Sequence, residues 1–112
     1  MPEFMLLIKG GDYSGMSAEE NQKVVEHYIA WARKLRAENR MKGGDELQPN
    51  GRVLSVQNGA IVDGPFIEAK ESIGGYFLIE ADSYNHAVEI SKECPSLRYN
   101  GVVEIRQISD YK

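Results

Sequence analysis

One short segment of the chain gathers most of the groups that could do chemistry. Residues 63–71 contain three carboxylates and one ammonium group, on Asp63, Glu68, Glu71 and Lys70. A carboxylate held by turn amides beside an ammonium can bind a polar ligand or transfer a proton. Because Asp-Gly-Pro is also a turn former, the segment is equally compatible with a purely structural turn. The residues expected to contact a ligand here are Asp63, Gly64, Pro65, Phe66, Glu68 and Lys70.

The histidines and the cysteine are the next candidates. His27 would act as a general base if a carboxylate such as Asp63 fixed the tautomer of its imidazole. His86 is expected at the surface or as a capping residue, and Cys94 as a buried, inert thiol, because Ile90 lies one helical turn before it. Two histidines without a clustered third ligand predict no metal site, and no motif indicates a cofactor.

Glycines and aromatic residues offer a second kind of binding surface. Gly75, which follows Gly74, would let a ligand or a backbone approach closely, although a bulge at the start of a strand explains this pair equally well. Trp31, Phe66 and Tyr76 could line an apolar pocket, or they could pack in the core as aromatic residues usually do. Gly75 and Tyr76 therefore join the candidate ligand-binding residues.

The composition is that of a small globular protein. The 112 residues suffice for a single domain, 1–112, and 13 Lys and Arg against 17 Asp and Glu give a formal net charge of −4. We expect no nucleic-acid partner, because the chain has no block of basic residues, and no membrane span, because its apolar runs are short. The single cysteine and the lack of a basic, apolar leader favour the cytoplasm.

Hydrophobic patterning predicts the elements that must position these residues. Phe4–Ile8 is apolar on both faces, as a central strand would be. A capping box at Ser17 and Glu20 predicts a helix from Ser17 to about Asn39. The stripe expected to be buried on this helix comprises Val24, Val25, Tyr28, Ile29, Ala32 and Leu35.

The remainder of the chain predicts a hairpin, three strands and a helix. Asn58-Gly59 between alternating residues is the signal of a β-hairpin with strands at 52–57 and 60–62. The other expected elements are a bent or bulged strand at 41–47, a strand apolar on both faces at 74–80, a helix capped by Asp82 or Ser83 and ended by Pro95, and a last strand at 102–108.

The order of these elements predicts an α+β, ferredoxin-like βαββαβ fold with an inserted β-hairpin, in which the first and third main strands are central. Right-handed crossovers place both helices on one face of the sheet, so the apolar residues of the other face need a cover. A second copy of the chain is expected to provide it, which gives a homodimer. The alternative is that the inserted hairpin folds over this face within one chain.

Residues 63–76, Asp-Gly-Pro-Phe-Ile-Glu-Ala-Lys-Glu-Ser-Ile-Gly-Gly-Tyr, resemble the signature of the YCII-related family in its DGPF branch. The opening Phe4–Ile8, the Gly-Gly-Asp-Glu-Leu-Gln-Pro stretch at 43–49 and the closing Val103–Arg106 are also similar to the family. The resemblance covers essentially the whole chain. It implies a dimeric α+β barrel built from two ferredoxin-like subunits.

The same resemblance implies candidate roles. YCII relatives carry a proposed catalytic His near the position of His27, together with an Asp near a cleft, which makes His27 and Asp63 candidates for acid–base catalysis. DGPF proteins often have a Tyr near this position, so Tyr28 is the alternative equivalent. Some DGPF genes resemble or neighbour those of extracytoplasmic-function sigma factors, which implies a sigma factor as a candidate partner.

Three functions remain open from the sequence. The dimer could hold a small polar or aromatic molecule in a cleft between the first helix and the sheet, with Asp63 and His27 or Tyr28 transferring a proton. It could instead bind a ligand or a protein such as a sigma factor without catalysis, or be a structural dimer whose DGPF loop secures the fold. We favour a small-molecule cleft near the DGPF loop, for which the sequence names no substrate.

Overall fold

A computed structural model describes residues 2–10, 15–64 and 72–110 of the chain. The strands are β1 (Glu3–Gly10), β2 (Met41–Glu46), β3 (Val53–Gln57), β4 (Ala60–Gly64), β5 (Ile73–Glu80) and β6 (Gly101–Gln107). The helices are α1 (Ala18–Ala37), α2 (Tyr84–Ser91) and a short 3-10 helix (Pro95–Tyr99). In the part of the chain described, no helix combines the length and the apolar character needed to cross a membrane.

Four strands form the main sheet in the order β2-β5-β1-β6, and each neighbouring pair is antiparallel. The prediction that the first and third main strands are central is confirmed, because β1 and β5 lie inside the sheet and β2 and β6 at its edges. These two central strands are the runs that are apolar on both faces. Strands β3 and β4 pair with each other in a separate two-stranded sheet. The ferredoxin-like topology with an inserted hairpin is therefore confirmed.

The hydrophobic core lies between one face of the main sheet and the helices. Strand β1 sends Phe4, Leu6 and Ile8 into it, alternating with residues that are less buried. The other buried members of the core are Trp31, Leu35, Ile79, Ala81, Ala87, Ile90 and Cys94. The core therefore draws on both central strands and both α-helices.

Helix α1 begins where the sequence predicts it. The Ser17 hydroxyl accepts a hydrogen bond from the Glu20 amide at 3.1 Å, and the Glu20 carboxylate accepts one from the Ser17 amide at 3.4 Å. These two bonds complete the predicted capping box. Acidic residues in the first turn and basic residues in the last turn also complement the helix dipole.

The predicted buried stripe of α1 is wrong at two positions. Val25 and Ile29 are 49% and 45% exposed, whereas Trp31, which was not part of the stripe, is 5% exposed. The indole of Trp31 meets the ring of Phe77 on β5 edge-on, with the centroids 5.0 Å apart. Because Trp31 packs on the sheet, the side of α1 that carries Trp31 faces the core. Val25 and Ile29 therefore lie at the margin of the core.

Strand β2 is bulged, as its glycines predict. Its register with β5 shifts between Met41 and Gly43. At the next position, a Cβ added to Gly44 would lie 2.7 Å from the Tyr76 carbonyl oxygen and 2.9 Å from the Phe77 ring. Only glycine lets β2 approach β5 this closely without a shift of the backbone.

The start of β5 is irregular as well. Ile8 of β1 pairs with Gly75, but Lys9 pairs with Ile73, so the register shifts at Gly74. The bulge that the sequence offered as one explanation of this glycine pair is therefore present. A Cβ on Gly75 would lie 3.0 Å from the carbonyl oxygen of Asp45, which is also a close approach.

The inserted hairpin turns at the predicted dipeptide. Asn58 and Gly59 have φ angles of 51° and 80°, the left-handed values that a two-residue hairpin turn requires. Strand β4 continues to Gly64, beyond the predicted end at Val62, because the ladder extends as far as the pair between Val53 and Gly64. Asp63 and Gly64, the first two residues of the DGPF sequence, therefore lie on the hairpin.

The face of the main sheet opposite the helices carries an apolar strip. Strand alternation places Met5, Leu7 and Leu78 on this face, and their neighbours in the sheet leave all three half-buried. The hairpin packs extensively on none of the main strands, so within residues 2–10, 15–64 and 72–110 it does not cover the strip. The apolar strip (Met5, Leu7 and Leu78) therefore needs a cover from elsewhere.

Ion pairs flank the apolar strip on both sides. Lys9 Nζ lies 2.6 Å from the Glu104 carboxylate across β1 and β6, and Lys42 Nζ lies 2.8 Å from the Glu80 carboxylate across β2 and β5. Each lysine hydrogen bond holds the pKa of its carboxyl partner below the ordinary value of 4.5. Because these pKa values are lower in the folded than in the unfolded chain, the pairs stabilise the fold above the ordinary pKa, and this stabilisation is lost as the pH falls through the folded pKa values.

Replacing Gly44 with alanine should destabilise the fold, because the new Cβ must push β2 away from β5. We expect the free energy of unfolding in a urea titration to fall by about 1–3 kcal/mol, the usual cost of overpacking. Gly43→Ala is the matched control, since a Cβ at Gly43 meets nothing within 4 Å. Its free energy of unfolding should change by less than about 0.5 kcal/mol. Equal losses in the two variants would contradict the close approach of the strands.

Candidate functional site

A cleft of about 670 Å³ opens between α1 and the adjoining ends of β2 and β5. Helix α1 forms one wall, and the two strands with the segments next to them form the other. The described lining comprises Asn21, Val24, Val25, Tyr28 and Ile29 on α1, Gly44–Leu47 and Pro49 at β2, Ser72–Phe77 at β5, and Ile8 and Gly10 on β1. Ser72 and Ile73, at the start of β5, belong to the stretch 63–76 that resembles the DGPF signature.

Aromatic and aliphatic side chains give the cleft an apolar wall. The rings of Tyr28 and Phe77 are stacked, with centroids 6.2 Å apart and planes inclined by 10°. Val25 and Ile29 add apolar surface from α1. These two residues of the predicted buried stripe are exposed because they line this cleft. Such a surface suits an aromatic or aliphatic group.

Carboxylates are the charged groups of the cleft. Strand alternation places Glu46 on the same face of β2 as Gly44, towards α1, and Asp45 on the opposite face. Asp45 accepts a hydrogen bond from the Tyr76 hydroxyl at 3.5 Å. No lysine, arginine or histidine occurs among the described lining residues.

Sequence reasoning did not single out Asp45 and Glu46 as site residues. One signal was available: two consecutive acidic residues directly follow Gly43 and Gly44 in a strand that is expected to bulge. A bulge re-aims the side chains after it and is common beside binding sites. This pattern alone does not identify a binding site, because the position of α1 opposite β2 is known only from the fold.

His27 and Tyr28 are neighbours in sequence but face different parts of the molecule. Tyr28 lines the cleft, whereas His27 lines a smaller groove of about 500 Å³ between α1 and the 3-10 helix. The Nδ1 atom of His27 lies 3.5 Å from the Tyr99 hydroxyl, and its Nε2 atom lies 3.4 Å from the Arg98 guanidinium. Of the two alternatives that the sequence left open, Tyr28 is the residue in the cleft.

Asp63 lies on strand β4 of the hairpin. Its carboxylate is ion-paired with the guanidinium of Arg52, at the open end of the hairpin. This is its hydrogen-bond partner among the described residues, so the single subunit brings neither His27 nor Tyr28 into contact with Asp63. Acid–base catalysis by these residues remains a prediction.

The other predicted ligand-binding residues fall into three groups. Gly75, which is buried, lines the cleft; Tyr76, which is half-buried, is also a lining residue, but strand alternation places its side chain with Asp45 on the opposite face of the sheet. Gly64 ends β4 and is not part of the cleft lining. Pro65, Phe66, Glu68 and Lys70 lie outside the described residues.

The two remaining candidates, Cys94 and His86, have structural roles. Cys94 is 1% exposed, and burial raises the pKa of its thiol above the ordinary value of 9.0, although hydrogen bonds with the Ser96 backbone and the Tyr28 side chain act in the opposite direction. His86 has a capping role, because its Nδ1 accepts a hydrogen bond from the Asp82 amide at 2.9 Å. Across the described ranges, no cluster of three or more His, Cys, Asp or Glu side chains could hold a metal ion.

The fold and the cleft together define an α+β domain with ferredoxin-like topology and a pocket between its first helix and its sheet. The family model of the YCII-related domain matches residues 3–112, and the chain belongs to this family. A curated relative, an uncharacterised protein of Rhizobium meliloti (strain 1021), is 27% identical over 104 residues, which is 88% of this chain and 84% of that protein.

Among solved structures, the chain is similar to 5-chloro-2-hydroxyhydroquinone dehydrochlorinase from Burkholderia phenoliruptrix AC1100, in its complex with 2,5-dihydroxybenzoquinone. The TM-score is 0.52 at 14% sequence identity, and the match covers 95% of this chain and 93% of the dehydrochlorinase chain. At this level of identity, the likeness supports the fold.

The Cys94 thiol should react slowly in the native protein, since a buried thiol with a raised pKa forms little thiolate. We expect its reaction with Ellman's reagent at pH 8 to be at least about 100-fold slower than in urea-unfolded protein. Leu97→Cys in a Cys94→Ala background is the control, because Leu97 is 45% exposed on the neighbouring 3-10 helix. Equally fast modification of the native wild-type and control proteins would contradict the burial of Cys94.

Proposed function

We propose that this YCII-family protein binds a small, neutral, hydroxylated aromatic molecule in the cleft between α1 and the β2–β5 edge, and that it does so as a homodimer. The observation that carries the proposal is the make-up of the cleft. A stacked aromatic pair and exposed aliphatic side chains share it with the Glu46 carboxylate, and its described lining has no cation.

The size and the apolar wall of the cleft support a ring-sized ligand. A volume of about 670 Å³ lies within the usual range of small-molecule sites. Val25 and Ile29 each leave nearly half of their surface exposed, and a ring placed against them and Phe77 would remove apolar surface from water. Tyr28, already stacked on Phe77, can extend this contact.

The charge of the cleft supports a neutral ligand that carries hydroxyl groups. The Glu46 carboxylate is an acceptor of hydrogen bonds and attracts O–H donors. An anionic ligand would meet this carboxylate with no described cation to offset the repulsion. The ligand of the structurally similar dehydrochlorinase, 2,5-dihydroxybenzoquinone, is a six-membered ring with two hydroxyl groups; it supports the ring class alone as a proposal for this chain, because its hydroxyls are vinylogous acids that ionise at neutral pH.

Acid–base chemistry on such a ligand is the finer part of the proposal. Tyr28 is the candidate general acid or base, because it lines the cleft and His27 does not; to act on a ligand, its hydroxyl would exchange its hydrogen bond with Cys94 for one with the ligand. The carboxylate partner that we propose, Asp63, would have to reach the cleft from a second subunit, since in its own subunit it is paired with Arg52.

The apolar strip supports the homodimer. Met5, Leu7 and Leu78 form an apolar centre, and the Lys9–Glu104 and Lys42–Glu80 ion pairs form a charged rim. Protein interfaces commonly combine an apolar centre with a polar rim. Two copies related by a two-fold axis would cover each other's strip and form a barrel from two sheets.

Ligand binding is tested by calorimetric titration with 1,4-dihydroxybenzene, with benzoate as an anionic ring of similar size. We expect the dihydroxybenzene to bind at least about tenfold more tightly than benzoate, because benzoate meets the Glu46 carboxylate. Ile29→Ser should weaken binding of the dihydroxybenzene by about tenfold. Val88→Ser is the matched control on α2, where Val88 is 38% exposed outside the cleft, and it should leave binding unchanged.

Two results of this titration would contradict the proposal. Equal or tighter binding of benzoate would show that the Glu46 carboxylate does not select the ligand. Unchanged affinity in Ile29→Ser would place the ligand outside the cleft.

The homodimer is tested by sedimentation velocity at micromolar concentration. Wild-type protein should sediment as a dimer, and Leu7→Lys should sediment as a monomer, because the lysine would bury a charge in the middle of the interface. Val88→Lys, on the helical side of the subunit, should remain a dimer. A monomeric wild-type protein would contradict the proposed assembly.

A further inference from the structure

One face of the β3–β4 hairpin exposes three large apolar side chains. Leu54, Val56 and Ile61 are 68%, 71% and 76% exposed, which are high values for large apolar side chains. Val56 pairs directly with Ile61, and Leu54 lies two positions before Val56 on β3, so all three project from the same face. This set is the hairpin face (Leu54, Val56 and Ile61).

A two-stranded hairpin is at best marginally stable alone in water, and it needs a third strand or a packed face. The Asn58-Gly59 turn favours the hairpin locally but buries no apolar surface. No described element of the same subunit packs extensively on β3 or β4 other than these strands themselves. The hairpin face therefore needs an occupant from outside the described residues.

The two-fold symmetry of the proposed homodimer indicates which occupant this is. The apolar strip supplies three apolar side chains from each subunit, and each hairpin face supplies three more. A stable interface of standard size buries about 800 Å² on each partner, so two symmetry-related hairpins would add apolar surface to the contact twice.

We propose that the hairpin is a dimer arm, which packs Leu54, Val56 and Ile61 against a second copy of the chain. This inference rests on the homodimer of the proposed function and adds the surface that holds it together. The arm extends the contact beyond the sheet, and each subunit both donates an arm and receives one.

The register of the hairpin adds a consequence for the site. Asp63 pairs with Leu54, so it projects from the hairpin face together with the three apolar residues. An arm that packs on a second copy carries Asp63 to that copy. This explains why Asp63 contacts neither His27 nor Tyr28 of its own subunit, and it makes the dimer the unit in which the predicted acid–base residues can meet.

The test compares two double variants in sedimentation equilibrium. Val56→Thr/Ile61→Thr keeps β-branched side chains but makes the hairpin face polar, with four substitutions in each dimer. Val53→Thr/Val62→Thr makes the same chemical change on the opposite face of the hairpin. We expect the first pair to raise the dimer dissociation constant at least about tenfold, and the second to change it by less than about threefold.

Hydrogen exchange of the β3 and β4 amides provides a second readout. In wild-type dimers these amides should be protected, and in the monomeric Leu7→Lys variant the protection should fall at least about tenfold, because the arm has lost its partner. Protection that is equal in monomer and dimer would place the hairpin against its own chain and overturn the inference.

The outcomes separate the arm from the dimer itself. A wild-type protein that is monomeric would contradict the homodimer and the arm together. A wild-type dimer whose dissociation constant is the same in Val56→Thr/Ile61→Thr would overturn the arm and leave the homodimer in place. A selective loss of dimer in this variant supports the arm.

Discussion

One constraint organises the structure: both helices lie on the same face of the four-stranded sheet. The two central strands are apolar on both faces, so the helices can bury only half of what these strands present. On the covered side, Phe4, Leu6 and Ile79 are almost fully buried in the core. On the other side, no described element of the subunit covers the apolar strip, and a second copy that covered it, as we propose, would join the stability of the fold to its assembly.

The cleft follows from the same arrangement. The second half of α1 packs in the core through Trp31 and Leu35, and residues of its first half line the cleft opposite β2 and β5. Gly44 and Gly75 lie on the face of the sheet towards α1 and have no side chains, which leaves room between the sheet and the helix. Val25 and Ile29 then face a cavity instead of the core, and this cavity is the candidate binding site.

Much of the fold could be predicted because short local sequence patterns determine it. The capping box at Ser17 and the Asn58-Gly59 turn depend on a few adjacent residues, and both are present in the structure. The cleft could not be predicted in this way. The side of α1 that faces it depends on how Trp31 packs on a distant strand, and the choice between His27 and Tyr28 depends on the same rotation of the helix.

The proposed function depends most on where a ligand binds, and amide chemical-shift mapping of the protein during titration with 1,4-dihydroxybenzene tests this directly. If the ligand binds in the cleft, the largest shifts occur on its two walls, at Tyr28, Ile29, Gly44 and Phe77. Shifts confined instead to the groove of His27 and Arg98 would contradict binding in the cleft, because that groove lies between α1 and the 3-10 helix.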